Sequence, residues 1–177
     1  MTHRRSPARA AVLAVAVAAV AAVLAPSAGS AQIPGGDPDE AFDRRDAARA
    51  QYRANALEQV NETLETWADA WREDDAGELV DRYADRARVR GLPFGFVSGQ
   101  EALQERFSGF LPDAGDVRVS LREFNASGRL AYGVGSFRFQ TAGSGGGETV
   151  RGQVMTVFLK ENGWKILSQL FVPARES

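Results

Sequence analysis

Few side chains in this chain of 177 residues are suited to proton or metal chemistry. His3 is its one histidine, and it has no cysteine. His3 also falls in a segment read below as a removable export signal. Without these two residue types, Ser-His-Asp and Cys-His nucleophiles, a histidine base and ordinary zinc or copper sites are excluded. No metal and no cofactor is expected. Carboxylates, tyrosines, arginines and the lysines Lys160 and Lys165 are left for proton work.

Among these, Glu123 shares parity with Val117, Val119 and Leu121 in "DVRVSLREF". Turned inward, its carboxylate is a candidate general base, the weak catalytic candidate of this sequence. Its place near Asn125, at a strand end, favours a solvated side chain instead. Tyr83 and Tyr132 are further weak acid/base candidates. Arg106 lies at the edge of a helical apolar face, between Ala102/Leu103 and Phe110. It could meet an anionic ligand, but the balance favours an arginine with a buried stem and a wet head. Trp67 and Trp71, one helical turn apart, either stack on a flat or greasy ligand or form core. Gln153 and Gln169 are sharper pointers. A side-chain amide on an apolar strand face needs a partner, and lacking one costs about 1–3 kcal/mol. The two would bond each other, a ligand or water. Arg118, Arg122, Arg138 and Arg151 also fall on strands, where Glu148 and other acids of the outer rim could pair with them.

The elements that hold these residues follow from composition and periodicity. Hydrophobic residues make up 44% and charged residues 25%, which is globular composition. The first 31 residues stand apart. Arg4, Arg5 and Arg9 come without an acid, an apolar run spans Ala11 to Ala25, and small residues lead to a cleavage site between Ala31 and Gln32. This is the layout of a secretory signal, and the run is short for a membrane span. Export to the periplasm or the exterior is expected, with no stable membrane insertion after cleavage. Losing those three arginines moves the formal charge of −2 to −5. Nucleic acid is therefore not an expected partner.

Residues 32–56 read as a Pro/Gly linker followed by a charged helical extension. The helical pattern runs from about Pro38 to Asp74, with Leu57, Val60, Leu64, Trp67, Ala68 and Trp71 on one face. A short helix carries Leu79, Val80 and Tyr83. A strand is cut off by Gly91 and Pro93, and a third helix is capped by Ser98 with Glu101 three residues on. Four antiparallel strands in a meander complete the chain, with turns at Asn125–Gly128, "TAGSGGGE" and Asn162-Gly163. In the last strand, "WKILSQLF", both parities carry large apolar side chains, so both faces need cover.

The succession "TWADAWREDDAGELVDRYADRARVRG", "SGQEAL" and "VFLKENGWKILSQLF" resembles the NTF2-like superfamily, and within it the SnoaL-like and DUF4440-type domains that share the ketosteroid isomerase fold. The resemblance covers residues 57–173, leaving 174–177 as a tail. It implies an α+β fold: a curved antiparallel sheet wrapped around N-terminal helices, a cone with an internal pocket. Aligned on the isomerase branch, the pocket side takes Gly133, Gly135, Phe137 and Phe139, then Gln153, Met155 and Val157, then Leu167, Gln169 and Phe171. Gly133 and Gly135 would make room for the cavity, and Trp67 and Trp71 would close it. The isomerase's base, tyrosine and protonated aspartate positions match Gly91, Trp67 and Met155, none of which can do their work. The dehydratase and cyclase branches lean on histidines that the mature chain lacks.

The resulting expectation is an exported domain that binds a small, mostly apolar molecule without catalysis. The alternatives are an enzyme of isomerase, cyclase or hydrolase type with non-standard acid/base residues, or a structural dimerisation domain. A homodimer through the back of the sheet is expected, using Val150, Val154, Thr156, Phe158, Trp164, Ile166 and Leu170. The helix from Phe42 to Ala54 is the alternative cover for that face.

Overall fold

The computed structural model describes residues 38–91, 93–141 and 147–174. The expected signal, its cleavage site and the linker up to residue 37 lie outside the described residues.

Helix α1 (Pro38–Arg72) begins with the acids Asp39 and Glu40 and ends with Arg72, each of a sign that suits its helix terminus. It runs unbroken through residue 57, so the charged extension and the first core helix are one element. The N-terminal turns are exposed, Phe42 included. Tyr52 ties this part to the body by donating to the Gly128 carbonyl. From Ala56 onward Val60, Leu64, Trp67, Ala68 and Trp71 recur every three or four residues and are buried.

Helix α2 (Ala76–Asp81) is capped by Asp75, whose carboxylate accepts from the Glu78 amide at 2.9 Å. Strand β1 (Tyr83–Gly91), strand β2 (Gly95–Ser98) and helix α3 (Gln100–Phe110) follow. The sequence suggests Ser98 as the α3 cap. In the structure Ser98 instead pairs with Arg88 in a hairpin, and Gly99, at φ 87°, turns the chain into the helix. A 3-10 turn, Leu111–Asp113, leads to β3 (Ala114–Ser127), β4 (Leu130–Thr141), β5 (Glu148–Glu161) and β6 (Gly163–Pro173).

The sheet order is β2-β1-β6-β5-β4-β3. The four-strand meander is antiparallel, but β1 lies parallel to β6, so the curved sheet is mixed and not closed. The helices fill its concave side.

Register decides which residues reach that side. On β4 Ala131, Gly133, Gly135, Phe137 and Phe139 point inward. Opposite residues of a ladder share a face. Their partners Phe158, Thr156, Val154, Gly152 and Val150 therefore point inward too. This corrects the expectation for β5. Gln153, Met155 and Val157 lie on the convex face, while Val154, Thr156 and Phe158 are buried within. The pairing matches small to large: Gly135 against Val154, Ala131 against Phe158, Gly152 against Phe137.

Strand β6 settles the double apolar parity. Val157 pairs with Ser168 but Phe158 pairs with Ile166, leaving Leu167 as an extra, bulged residue. Trp164 and Ile166 point inward before the bulge, Gln169 and Phe171 after it. The expectation that Trp164 and Ile166 cover the back of the sheet is thereby corrected, and Leu167 does not share the inward row of Gln169 and Phe171.

Candidate functional site

Aromatic rings fill the concave side. Trp71 lies 5.3 Å from Trp67 between ring centroids, 6.1 Å from Phe94, 6.4 Å from Phe107, 5.4 Å from Phe110 and 5.8 Å from Phe139. Phe171 meets Phe94 at 5.4 Å and Phe137 at 5.1 Å. These are ordinary aromatic packing distances. Trp67, Trp71, Phe137, Phe139 and Phe171 are thus brought together. Phe94, Phe107 and Phe110 join them and were missed by sequence reasoning. The one signal for Phe94 was a large apolar residue in a turn, directly after Pro93. Phe94 from the β1–β2 turn and Phe110 from the end of α3 stand against Trp71 and Phe139, in the space a ligand was expected to take.

Gly133 and Gly135 do not open that space. A Cβ at Gly135 would sit 1.9 Å from the Ser120 carbonyl oxygen, and one at Gly133 would sit 2.7 Å from Leu121 Cδ1. Their bare backbone lets β3 come close at its bulge, between Leu121 and Glu123.

One polar chain crosses the aromatic interior. Trp67 Nε1 donates to the Tyr83 hydroxyl at 3.0 Å, and that hydroxyl donates to Gln169 Oε1 at 2.7 Å. Gln169 Nε2 reaches Thr156 Oγ1 at 3.5 Å. All four residues are buried. Gln169 thus finds Tyr83 and Thr156, not Gln153. Burial drives the Tyr83 phenol far above its usual range, against a smaller opposing pull from the Trp67 N–H. The hydroxyl stays neutral. It accepts one hydrogen bond and donates another, which specifies how α1, β1 and β6 meet.

The isomerase-like positions can now be placed. Gly91 has φ 108°, and a Cβ there would lie 1.9 Å from the Phe171 carbonyl oxygen. No side chain fits, so no carboxylate base could be housed at that point of β1. Trp67 offers an N–H already bonded to Tyr83. Met155 is 45% exposed on the convex face.

The remaining candidates also sit outside. Glu123 is exposed, because the bulge around Arg122 shifts β3 by one residue. Tyr132 is 44% exposed on the convex face, beside Val157. Arg106 lines a surface groove between α3 and β2 with Phe96. Among the described residues no group of three or more acidic or histidine side chains is placed to hold a metal.

The convex face is different in kind. Leu130, Tyr132, Met155, Leu170 and Val172 are exposed there. Val134, Met155 and Leu170 form one continuous cross-strand row over β4, β5 and β6. Asn125, Leu130, Tyr132, Met155 and Val157 border a shallow groove of about 560 Å³. Further along the same strands Arg118, Arg138 and Arg151 stand opposite one another on β3, β4 and β5. Arg118 and Arg138 lie 3.5 and 3.7 Å from the Asp116 carboxylate, which also accepts from Arg72 at 3.2 Å. Desolvation acts to raise the Asp116 carboxyl, but the Arg72 hydrogen bond and the three guanidinium charges outweigh it and hold the group below the usual carboxylate range.

Comparison with known proteins agrees with this architecture. The family model of the SnoaL-like domain matches residues 64–168. No curated protein sequence matches significantly. Solved structures share the fold at low identity. An NTF2-like protein with a cystatin-like fold from Novosphingobium aromaticivorans superposes with a TM-score of 0.62 at 14% identity, over 74% of this chain and 89% of that one. A ketosteroid isomerase-like protein from Erwinia carotovora atroseptica gives 0.59 at 15% identity, over 68% and 97%. A protein of unknown function from Mycobacterium tuberculosis gives 0.61 at 14% identity, over 68% and 77%.

Proposed function

The chain belongs to the SnoaL-like domain family, and from that premise we propose that it is a non-catalytic, exported member that works as a homodimer through its convex sheet face. The observation that carries this reading is the row of exposed apolar side chains on adjacent strands. Met155 and Val172 are 45% and 50% exposed, and Leu130, Tyr132 and Leu170 lie with them. A contiguous patch of this kind costs free energy in water and favours a covering surface. A second copy offers the same patch, and a two-fold axis would bring it against itself. The fold neighbours show only that the architecture is a common one; the association rests on the exposed row.

The non-catalytic part of the reading draws on the interior. The base-matched position is the bare Gly91, and the Tyr83 hydroxyl is occupied at both ends. The alternative of a small apolar ligand within the cone draws on the same aromatic lining. It requires Phe94 or Phe110 to swing away from Trp71. A cyclase or hydrolase reading would need an acid/base group in that interior, and the candidates Glu123 and Tyr132 sit outside it.

Two measurements test the proposal. Sedimentation velocity of the full chain should give a dimer, and Met155→Glu should give a monomer that is still folded by circular dichroism and has lost the concentration dependence of the parent's Tm. A monomeric parent, or a Met155→Glu variant that stays dimeric, overturns the sheet interface. Export is tested separately by sequencing the N-terminus of protein recovered outside the cytoplasm. Gln32 or a close neighbour is expected there, and an intact Met1 would refute cleavage.

A further inference from the structure

The arginine row lies on the convex face next to the apolar patch, with Val134 and Val172 between them. Arg118 and Arg138 are Cα partners across β3 and β4, and Arg138 and Arg151 are partners across β4 and β5. Like charges directly opposite in a sheet repel. The chain as a whole is acidic, at −2, so overall composition does not call for such a row. Asp116 is shared among Arg72, Arg118 and Arg138. Arg122 and Arg151 have no acid within salt-bridge distance among the described residues. The expectation that Glu148 pairs with these arginines is corrected, because Glu148 lies at the β5 start opposite Thr141, with no ion pair to any of them.

Arg122, Arg138 and Arg151 line a groove of about 680 Å³, together with Ser136, Gln153 and Glu123. Three arginines and one glutamate thus line the same groove. Ser136 and Gln153 are cross-strand partners one inward–outward repeat along from Arg138 and Arg151. They add neutral hydrogen-bonding groups beside the cations. Neighbouring strands are about 4.8 Å apart, so paired arginines can reach one compact anion together. Their planar forks suit the oxygens of phosphate or carboxylate.

We infer that this groove is a binding site for a compact, multiply charged oxyanion, the phosphate or diphosphate group of a small molecule. Bound there, the anion neutralises the repulsion along Arg138 and Arg151. Ser136 and Gln153 take up its remaining oxygens. The site goes beyond the homodimer reading: its arginines, Ser136 and Gln153 are not part of the apolar row, although Val134 and Val172 border both.

Titration calorimetry of the full chain with inorganic pyrophosphate, at low and matched ionic strength, tests the inference. Saturable binding at one site per chain is expected, weakening as salt is raised. The double variant Arg138→Gln/Arg151→Gln should bind at least tenfold more weakly. Both side chains are exposed, so the fold should survive, and circular dichroism checks it. Arg90→Gln, on the same face beside Phe96, should leave affinity unchanged. Orthophosphate and succinate in parallel separate a phosphate site from a general dianion site. Absence of saturable pyrophosphate binding, an unchanged double variant, an equal loss in Arg90→Gln, or binding of succinate as tight as that of pyrophosphate would each overturn the inference.

Discussion

The concave and convex faces of this one sheet are built from alternate residues of the same strands, yet they have opposite characters. The concave face is ring-packed, and one hydrogen-bonded chain runs through it from Trp67 to Thr156. The convex face leaves Leu130, Tyr132, Met155 and Val172 in water and sets arginines side by side. A residue's contribution should therefore depend on parity more than on type. Interior residues carry stability, and under the two proposals above convex residues would carry association and recognition.

The largest test of that contrast is Trp71→Ala against Met155→Ala. Loss of Trp71, which touches five other rings, should cost about 3–5 kcal/mol in urea unfolding. Met155→Ala should cost a small fraction of that in a dilute monomer. The cavity left by Trp71→Ala should also bind an apolar fluorescent dye that the parent excludes. Tight dye binding by the parent would instead favour the internal-ligand reading and break the contrast.

Tyrosines on the two faces give the next comparison. Tyr83→Phe strips the Trp67 N–H and the Gln169 oxygen of their shared partner, at an expected cost of about 1–3 kcal/mol. Adding Gln169→Leu should recover part of this loss, because a stranded acceptor is worse than none. Tyr132→Phe, on the half-exposed convex side, should leave monomer stability nearly unchanged. Equal losses at both tyrosines would refute the division by face.

The smallest effect concerns pH. The folded Asp116 carboxyl is held below its unfolded value by Arg72, Arg118 and Arg138. Its contribution is present above the unfolded value, near pH 4, and is lost as pH falls through the lower folded value. Asp116→Asn should flatten that acid limb of the stability profile. Because the site is well exposed, the difference should stay under about 1 kcal/mol and shrink with salt. A loss on raising the pH instead would contradict the sign of the shift.

Much of the architecture was legible in the chain. The spacing of Val60, Leu64, Trp67 and Trp71 marked the buried face of α1, and the turn residues marked the meander. The candidate site was read less well. Both parities of β5 are apolar, Val154 and Phe158 on one and Met155 and Val157 on the other. Pattern alone could not say which side is dry. The register with the neighbour decides it: Ala131, Gly133 and Gly135 on β4 pair with Phe158, Thr156 and Val154, and a shift of one residue would have offered the equally large Met155 and Val157. Strand β2 is four residues long, too short for any period to show.

What the sequence determined by itself is local or compositional. Helix or strand follows from the period of apolar residues, because side-chain direction repeats with the backbone geometry. The lack of His and Cys beyond residue 3 removed whole classes of chemistry without any fold. Only the tertiary structure decided the rest. The bulge at Leu167 reverses the faces of β6 halfway along, so Ile166 and Gln169 both point inward. The ladder brings Arg118, Arg138 and Arg151 into one row from three separate strands. Phe94 and Phe110, from a turn and a helix end, meet over Trp71. Each of these depends on which distant backbone groups pair. A ladder shifted by one residue would exchange every inward side chain for an outward one.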